Sequence, residues 1–326
     1  MIITQTPLRI SFAGGGTDFY EFFEAHGGAV VSSAIDKFLY CIVKERFDDK
    51  IYVNWSKKEI VDSVDQIEHD LVREAMRKVG ITKGIEISFL SDIPSEGSGL
   101  GSSSSVTVGV LHALYCFIGE TPTAEQLARE ACEIEIGKLG KPIGVQDQYI
   151  AAYGGLRCFE FGPGRNVKTS AVKISRASLE DLDNMLMLFF TGKTRKADKI
   201  LAQQRANITG QLATLREMTR QAHEVRQLLE GGTVGNFGLM LHRGWEAKRH
   251  LAAGVSSSEL DEQYQRALAA GALGGKISGA GGGGFFLLCV PSECRAAVRH
   301  ALADLREMPF HLERGGSRVA LNMQRY

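Results

Sequence analysis

The sequence predicts an α+β protein of two domains, and three observations carry that reading. Its 326 residues exceed what one compact core usually uses. Strand-type alternation and helical spacing are interleaved along the chain. The pattern then shifts near residues 160–180, so the expected domains are 1–175 and 176–326.

The elements follow in chain order. Leu8, Ile10 and Phe12 alternate with Arg9 and Ser11, so the first strand turns Arg9 away from its apolar face. FLYCIVKERF and KIYVNW flank Asp48-Asp49 and read as a hairpin. Residues 66–79 read as a helix and 85–93 as a strand. The stretch SEGSGLGSSSSVTVGVL, from Ser95 to Leu111, comes next. A linker would stay rich in Gly and Ser. Here Val106, Val110, Leu114 and Phe117 recur at helical spacing, so a glycine loop feeds a buried helix. Free N–H groups and the positive end of the helix dipole converge at such a place, which suits a phosphate. Thr123 with Gln126 forms a capping-box pattern that starts another helix. Leu127 and Ala131 share its apolar face, and Glu135 falls on the same face. A carboxylate there contradicts its surroundings, which often marks function.

In the second half NMLMLFF reads as a strand. A long helix carries Leu212, Leu215, Ala222, Val225 and Leu229, and further helices cover 233–252 and 257–270. GGKISGAGGGGFFLLCV is a glycine loop running into a strand; a helix at 292–305 and the strand RVALNM follow. No repeat of 20–50 residues is present.

Composition excludes several classes. Lys plus Arg and Asp plus Glu both number 38, with no basic stripe, so nucleic acid and anionic membrane are not expected partners. The longest apolar runs are strand-sized, and the first residues lack a signal-peptide pattern. The six cysteines form no C-x-x-C pair, and a reduced cytoplasmic protein is the expectation. Two nucleotide motifs also fail. Gly192-Lys193-Thr194 could end a Walker loop, but the earlier glycine position is Met187. Two G-x-G-x-x-G starts end on Ser102 and Phe19.

Four islands remain: PLRISFAGGGTD, the Gly/Ser loop, GKPIGVQDQYIAAYGG and KISGAGGGG. Pro7, Arg9, Gly14 and Asp18 fit the pattern P-x-R-x-x-x-x-G-x-x-x-D. Pro94, Gly99, Leu100, Gly101, Ser102 and Ser103 fit P-x-x-x-G-L-G-S-S with one extra residue. Ser278 to Gly283 fit S-G-A-G-x-G-G. In this order and spacing the chain resembles the GHMP kinases, the superfamily of galactokinase, homoserine kinase and mevalonate kinase. Within it, AGGGTD, GVQDQYIAAYGG and FFTGKTR resemble the D-glycero-D-manno-heptose 7-phosphate kinases.

The resemblance implies a two-domain GHMP kinase fold. The N-terminal domain would be like ribosomal protein S5 domain 2 and the C-terminal one ferredoxin-like, with the site between them. It implies ATP and Mg²⁺ as cofactors, a sugar phosphate as substrate, and phosphorylation of the anomeric O1 to a 1,7-bisphosphate for surface polysaccharide synthesis. A fucose- or galactose-type 1-kinase and a non-catalytic sugar and ATP sensor stay open, as does a homodimer. Gly97, Gly99, Leu100, Gly101, Ser102, Ser103 and Ser104 would cradle the ATP phosphates. Ser103 and Glu135 would hold Mg²⁺, with Ser102, Ser104 and Glu133 as competitors. Arg9 would stabilise the transferring phosphoryl group, and Asp147 would accept the hydroxyl proton or orient the hydroxyl. Asp18 would bind a sugar hydroxyl, with Thr17 and Gly16 as weaker candidates; an Asx turn is its plainer explanation. Gly279, Gly281 and Gly282 would either line the site or simply permit close packing. Lys193, Arg195 and Lys196 start a helix, where cations oppose the dipole; a substrate phosphate would account for Lys193 and Arg195 there.

Overall fold

The computed structural model describes residues 1–93, 97–193 and 197–323. Nine strands form the first sheet. Seven come from the first half: β1 (Ile2–Ala13), β2 (Gly28–Glu45), β3 (Ile51–Asn54), β4 (Lys58–Val61), β5 (Ile85–Ser91), β6 (Leu156–Gly162) and β7 (Asn166–Ala171). The second sheet holds β8 (Leu186–Phe190), β9 (Gly274–Ile277), β10 (Phe285–Cys289) and β11 (Arg306–Glu307), in the order β11-β8-β10-β9. The chain then returns: β12 (Leu312–Glu313) pairs with β2, and β13 (Arg318–Asn322) pairs antiparallel with β1. The expected boundary at 175/176 falls between β7 and the next helix, yet residues 312–322 lie with the first sheet.

The expected hairpin across Asp48-Asp49 is not formed. β5 lies between β2 and β3, antiparallel to the first and parallel to the second. Ile87 is the reason: it is fully buried, opposite Val43 on one side and Val53 on the other. The polar turn is held instead by Arg46, whose Nε donates to Asp48 Oδ1 at 2.9 Å.

The helices of the first half are α1 (Tyr20–His26), α2 (Asp70–Val79), α3 (Ser102–Phe117), α4 (Ala124–Cys132) and α5 (Gln146–Tyr153). Those of the second are α6 (Arg176–Met185), α7 (Ala197–Ala206), α8 (Leu212–Glu230), α9 (Phe237–Lys248), α10 (Ser258–Ala269) and α11 (Arg295–Ala301). α2 starts later than expected because His69 caps it, accepting from Val72 N. Thr123 caps α4 as the sequence predicts, its Oγ1 accepting from Gln126 N at 3.1 Å. α11 stops short of the expected 305, and α7 follows the cations at 193–196 that were expected to start a helix.

Three apolar clusters hold the molecule together. One packs the first sheet on α2, α3, α4 and α5. A second joins Leu8, Ile10 and Phe12 of β1 to Leu186 and Leu188 of β8, Leu287 of β10, and apolar residues of α8 and α9. It glues the two sheets together on the face of β1 away from Arg9. The third covers the second sheet with Trp245, Leu260 and Tyr264. The cysteines are all unpaired, five of them buried.

Candidate active site

β1 delivers the first functional side chain. Its register against β2 shifts between Pro7 and Leu8, and irregularities of this kind commonly re-aim side chains near sites. Arg9, 5% exposed, then points into a cavity lined also by Ser11, Asp18, Gly97, Gly99, Ser103 and Asp147. The backbone holds it there: Arg9 N donates to Leu100 O at 3.0 Å, and Ser105 Oγ to Pro7 O at 2.9 Å.

Asp147 sits in the first turn of α5. Arg9 grips it with two parallel bonds, Nε to Oδ1 at 2.7 Å and Nη2 to Oδ2 at 2.6 Å. Such fork-to-fork pairing is the strongest geometry available to arginine. Nη1 of the same guanidinium donates to Gly99 O at 2.5 Å, so one side chain fixes both the acid and the glycine loop.

That loop ends at Gly101, which is left-handed (φ 78°) and caps α3 with no side-chain hydrogen bond. The first N–H groups of α3 therefore keep donors for a ligand at the cavity wall. Two glycines set the loop's position. A β-carbon on Gly99 would lie 2.4 Å from Ser278 O, and one on Gly279 would lie 2.6 Å from Gly99 Cα. Only bare backbones can approach this closely.

Glu135 lies behind Ser103, fully buried and not itself among the cavity-lining residues. After Cys132 the chain continues as one π-helical turn, Glu133–Lys138, a rare form that concentrates at functional sites. The turn sends Glu135 fully inside while Glu133 faces out to Lys78 Nζ at 2.7 Å. Glu135 Oε2 accepts from Ser103 Oγ at 2.9 Å, and Oε1 from Gln148 Nε2 at 3.1 Å. Burial raises its pKa; Lys141, Ser103, Gln148 and Ser104 oppose that rise. Lys141 also donates to Ser103 Oγ at 3.4 Å. No cluster of three or more His, Cys, Asp or Glu suited to a metal occurs among the described residues. The Ser103 hydroxyl and the Glu135 carboxylate are oxygen donors, the kind a hard cation takes.

Family models for the GHMP kinases N terminal domain and the GHMP kinases C terminal match residues 66–155 and 225–305. A D-glycero-alpha-D-manno-heptose 7-phosphate kinase of Campylobacter jejuni is 31% identical over 306 residues, 89% of each chain. The chain belongs to the GHMP kinases. The crystal structure titled as a D-glycero-D-manno-heptose 1-phosphate kinase from Bacteroides thetaiotaomicron superposes with a TM-score of 0.83 at 27% identity. It covers 99% of this chain and 100% of that one. A putative sugar kinase from Campylobacter jejuni gives 0.78 at 28%, covering 98% and 97%. This GHMP kinase is thus a sugar kinase, a phosphotransferase acting on an alcohol group, with ATP the implied donor. No helix among its described residues is long and apolar enough to cross a membrane.

The kinase brings many of the expected residues to one cavity: Arg9, Gly16, Asp18, Gly97, Gly99, Gly101, Ser102, Ser103, Ser104, Asp147 and Gly279 all line it. Asp18 accepts from Gly16 N at 2.9 Å and Gln146 N at 3.2 Å, and burial raises its pKa. Others stand elsewhere. Leu100 is a core residue that anchors the loop through its carbonyl. Thr17 is fully buried and braces its own turn, its Oγ1 donating to Gly14 O at 2.8 Å and Ala29 O at 3.0 Å. Gly281 and Gly282 pack on Val255, whose carbonyl accepts from Gly282 N at 2.7 Å. Lys193 is not among the cavity-lining residues; its exposed ammonium pairs with Glu259. Pro94, Arg195 and Lys196 lie outside the described residues.

Sequence reasoning missed two buried lysines. Lys248, 5% exposed, ends α9 in the cavity wall and donates to Gly279 O at 2.5 Å. Burial, then nearby Arg9, pulls its pKa down to about 8 against Asp18 and Asp147. Lys276 of β9 donates to Phe12 O at 3.4 Å, and burial drives its pKa well down. A signal for Lys248 was present: Phe237, Leu241, Trp245 and Lys248 fall on one helical face, the same contradiction that exposed Glu135.

Proposed function

We propose that the protein transfers the terminal phosphoryl group of ATP to the anomeric O1 of D-glycero-D-manno-heptose 7-phosphate, giving the 1,7-bisphosphate. The observation that carries this reading is the Arg9–Asp147 fork beside the uncapped start of α3. The identity to the Campylobacter jejuni enzyme supports the sugar.

Each residue has a task in this reading. Asp147 orients the acceptor hydroxyl and takes its proton as the bond to phosphorus forms. Arg9 lies beside that acid and neutralises charge building on the moving phosphoryl oxygens. The N–H groups at the start of α3 hold the donor phosphates. Ser103 and Glu135 would hold Mg²⁺, which when bound supplies charge neutralisation on the phosphate chain. Asp18 accepts from a sugar hydroxyl. The product would feed nucleotide-heptose synthesis for a surface polysaccharide, in the cytoplasm where ATP is available. Residues 1–175 serve as the ATP-binding domain and 176–326 as the C-terminal domain, the latter lending strands back to the former.

The test is ATP turnover against a panel of heptose 7-phosphate, mannose, fucose and galactose, with ³¹P NMR locating the new ester. Preference for the 7-phosphate with a new O1 ester is expected. Preference for fucose would replace the substrate, and absence of turnover with every sugar would favour the sensor.

A further inference from the structure

Gly15 marks a point where donors converge. The position that a β-carbon would take on Gly15 lies 3.5 Å from Lys248 Nζ, 3.7 Å from Gln146 Nε2 and 3.7 Å from Ser11 Oγ. These groups come from α9, α5 and β1, so three separate elements aim at one spot. Lys248 and Ser11 are each 5% exposed, and Ser11 Oγ is buried without a hydrogen-bond partner. Orphaned hydroxyls of this kind are uncommon and call for an explanation. The Gln146 amide is oriented by Ser32, whose Oγ donates to Oε1 at 3.5 Å, turning the NH₂ toward the spot. An ammonium, an amide NH₂ and a hydroxyl all donate, so their common partner is an acceptor oxygen, and a buried ammonium favours one bearing negative charge.

We propose that Ser11, Gln146 and Lys248 form an oxyanion subsite that receives a phosphoryl oxygen in the space left open by Gly15. This rests on the sugar kinase reading and deepens it. Two sources carry that chemistry: the phosphate already on the acceptor sugar and the phosphoryl group in transfer. The subsite is independent of Lys193, whose ammonium is taken by Glu259.

Gly15 also supplies the cleanest test. Its φ is outside the left-handed region, and an added methyl would meet its three nearest atoms at ordinary contact distances. Gly15→Ala should therefore fold with an unchanged Tm while filling the subsite. Lys248→Met removes the charge by a different route and guards against a folding defect in the first variant. Calorimetry with inorganic phosphate, under saturating AMP-PNP, reads the acceptor side without turnover. Kinetics with heptose 7-phosphate and with unphosphorylated heptose complete the set.

If the subsite holds the acceptor's phosphate, both variants weaken inorganic phosphate at least tenfold. They also raise KM for the 7-phosphate at least tenfold, leaving KM for ATP and for plain heptose within twofold. If it holds the transferring group, kcat falls at least tenfold for every acceptor with both KM values unchanged. Well-folded variants in which none of these parameters moves beyond twofold overturn the subsite. A wild-type enzyme that prefers unphosphorylated sugars overturns the heptose 7-phosphate assignment instead, and the kcat of the variants with those sugars then decides the subsite.

Discussion

Asp147 touches no cation except Arg9 among the described ion pairs, and Arg9 spends two of its donors on it. Asp147→Asn removes a charge and a proton acceptor together. Its kcat should fall by about 10²–10⁴, the usual span for a general base, with ATP binding retained. A steady-state assay beside nucleotide titration checks both halves. Glu135→Gln tests the metal assignment. The variant should need more Mg²⁺ for half-maximal rate, because an amide is a poorer ligand for a hard cation. Lys248 gives a matching prediction with a pH signature. Its pKa is about 8 when folded against 10.5 when free, so the unfolded chain binds the proton more tightly. The cost of charging it is fully present below pH 8 and fades as pH rises toward 10.5. That cost is about 3 kcal/mol, less about 1–2 kcal/mol for the lost bond to Gly279 O. The groups facing Lys248 are Arg9, Asp18, Asp147 and Lys276. Lys248→Met should therefore melt above the wild type at pH 7, with the gap closing by pH 10; a gap that widens with pH would contradict the sign.

At the scale of elements, the two glycine loops act as one piece. Arg9 holds Gly99 O and Lys248 holds Gly279 O, while the two backbones touch. Gly99→Ala meets both the clash with Ser278 O and a φ of +73°. It should cost about 1–3 kcal/mol of stability, the range for a strained residue, and reduce turnover, read by melting and by assay. The islands containing these loops are legible in the sequence, because glycine at close approaches and a strand–loop–helix order leave a local trace. Glu135 was legible as a charge on an apolar face, visible in the period alone, whereas Arg9, turned off the apolar face of its strand, was singled out by the P-x-R motif. What was not legible depended on distant partners. The pairing of β5 between β2 and β3 is decided by Ile87 meeting Val43 and Val53, and no local pattern encodes that choice. The π turn at Glu133–Lys138 mimics ordinary helical spacing. Lys248 did leave a local trace, the helical face it shares with Phe237, Leu241 and Trp245, but its site at Gly279 depends on a distant partner.

At the scale of the whole molecule, the chain's last strands belong to its first sheet. Ser317 is the rivet: its Oγ is 2.9 Å from Thr6 Oγ1 and 2.9 Å from His112 Nδ1, and its N–H donates to Ala151 O at 2.9 Å. Arg318 Nε adds a bond to Gln5 Oε1 at 2.8 Å. Deleting residues 312–326 should therefore weaken the first sheet, although they follow the second in the chain. The ladders of β13 on β1 and of β12 on β2 are lost together with these bonds, so at about 1 kcal/mol each the loss exceeds about 4 kcal/mol, readable as an earlier denaturation midpoint with a single transition. A midpoint equal to that of the full chain would show the strands to be ornamental.

The return of β13 to β1 also sets a timetable for synthesis. Proteins commonly fold from the leading end while the ribosome is still adding residues. Here β1 has as its outer neighbour a strand, β13, that is made only after the whole second sheet. Until β13 is made, β1 offers a bare edge with unpaired N–H and C=O groups, the template on which strands of other chains aggregate. The nascent protein has to be shielded for as long as the second sheet takes to emerge. Overproduction should consequently favour inclusion bodies unless translation is slowed or a chaperone is supplied, and Arg9 rides on the very strand left waiting.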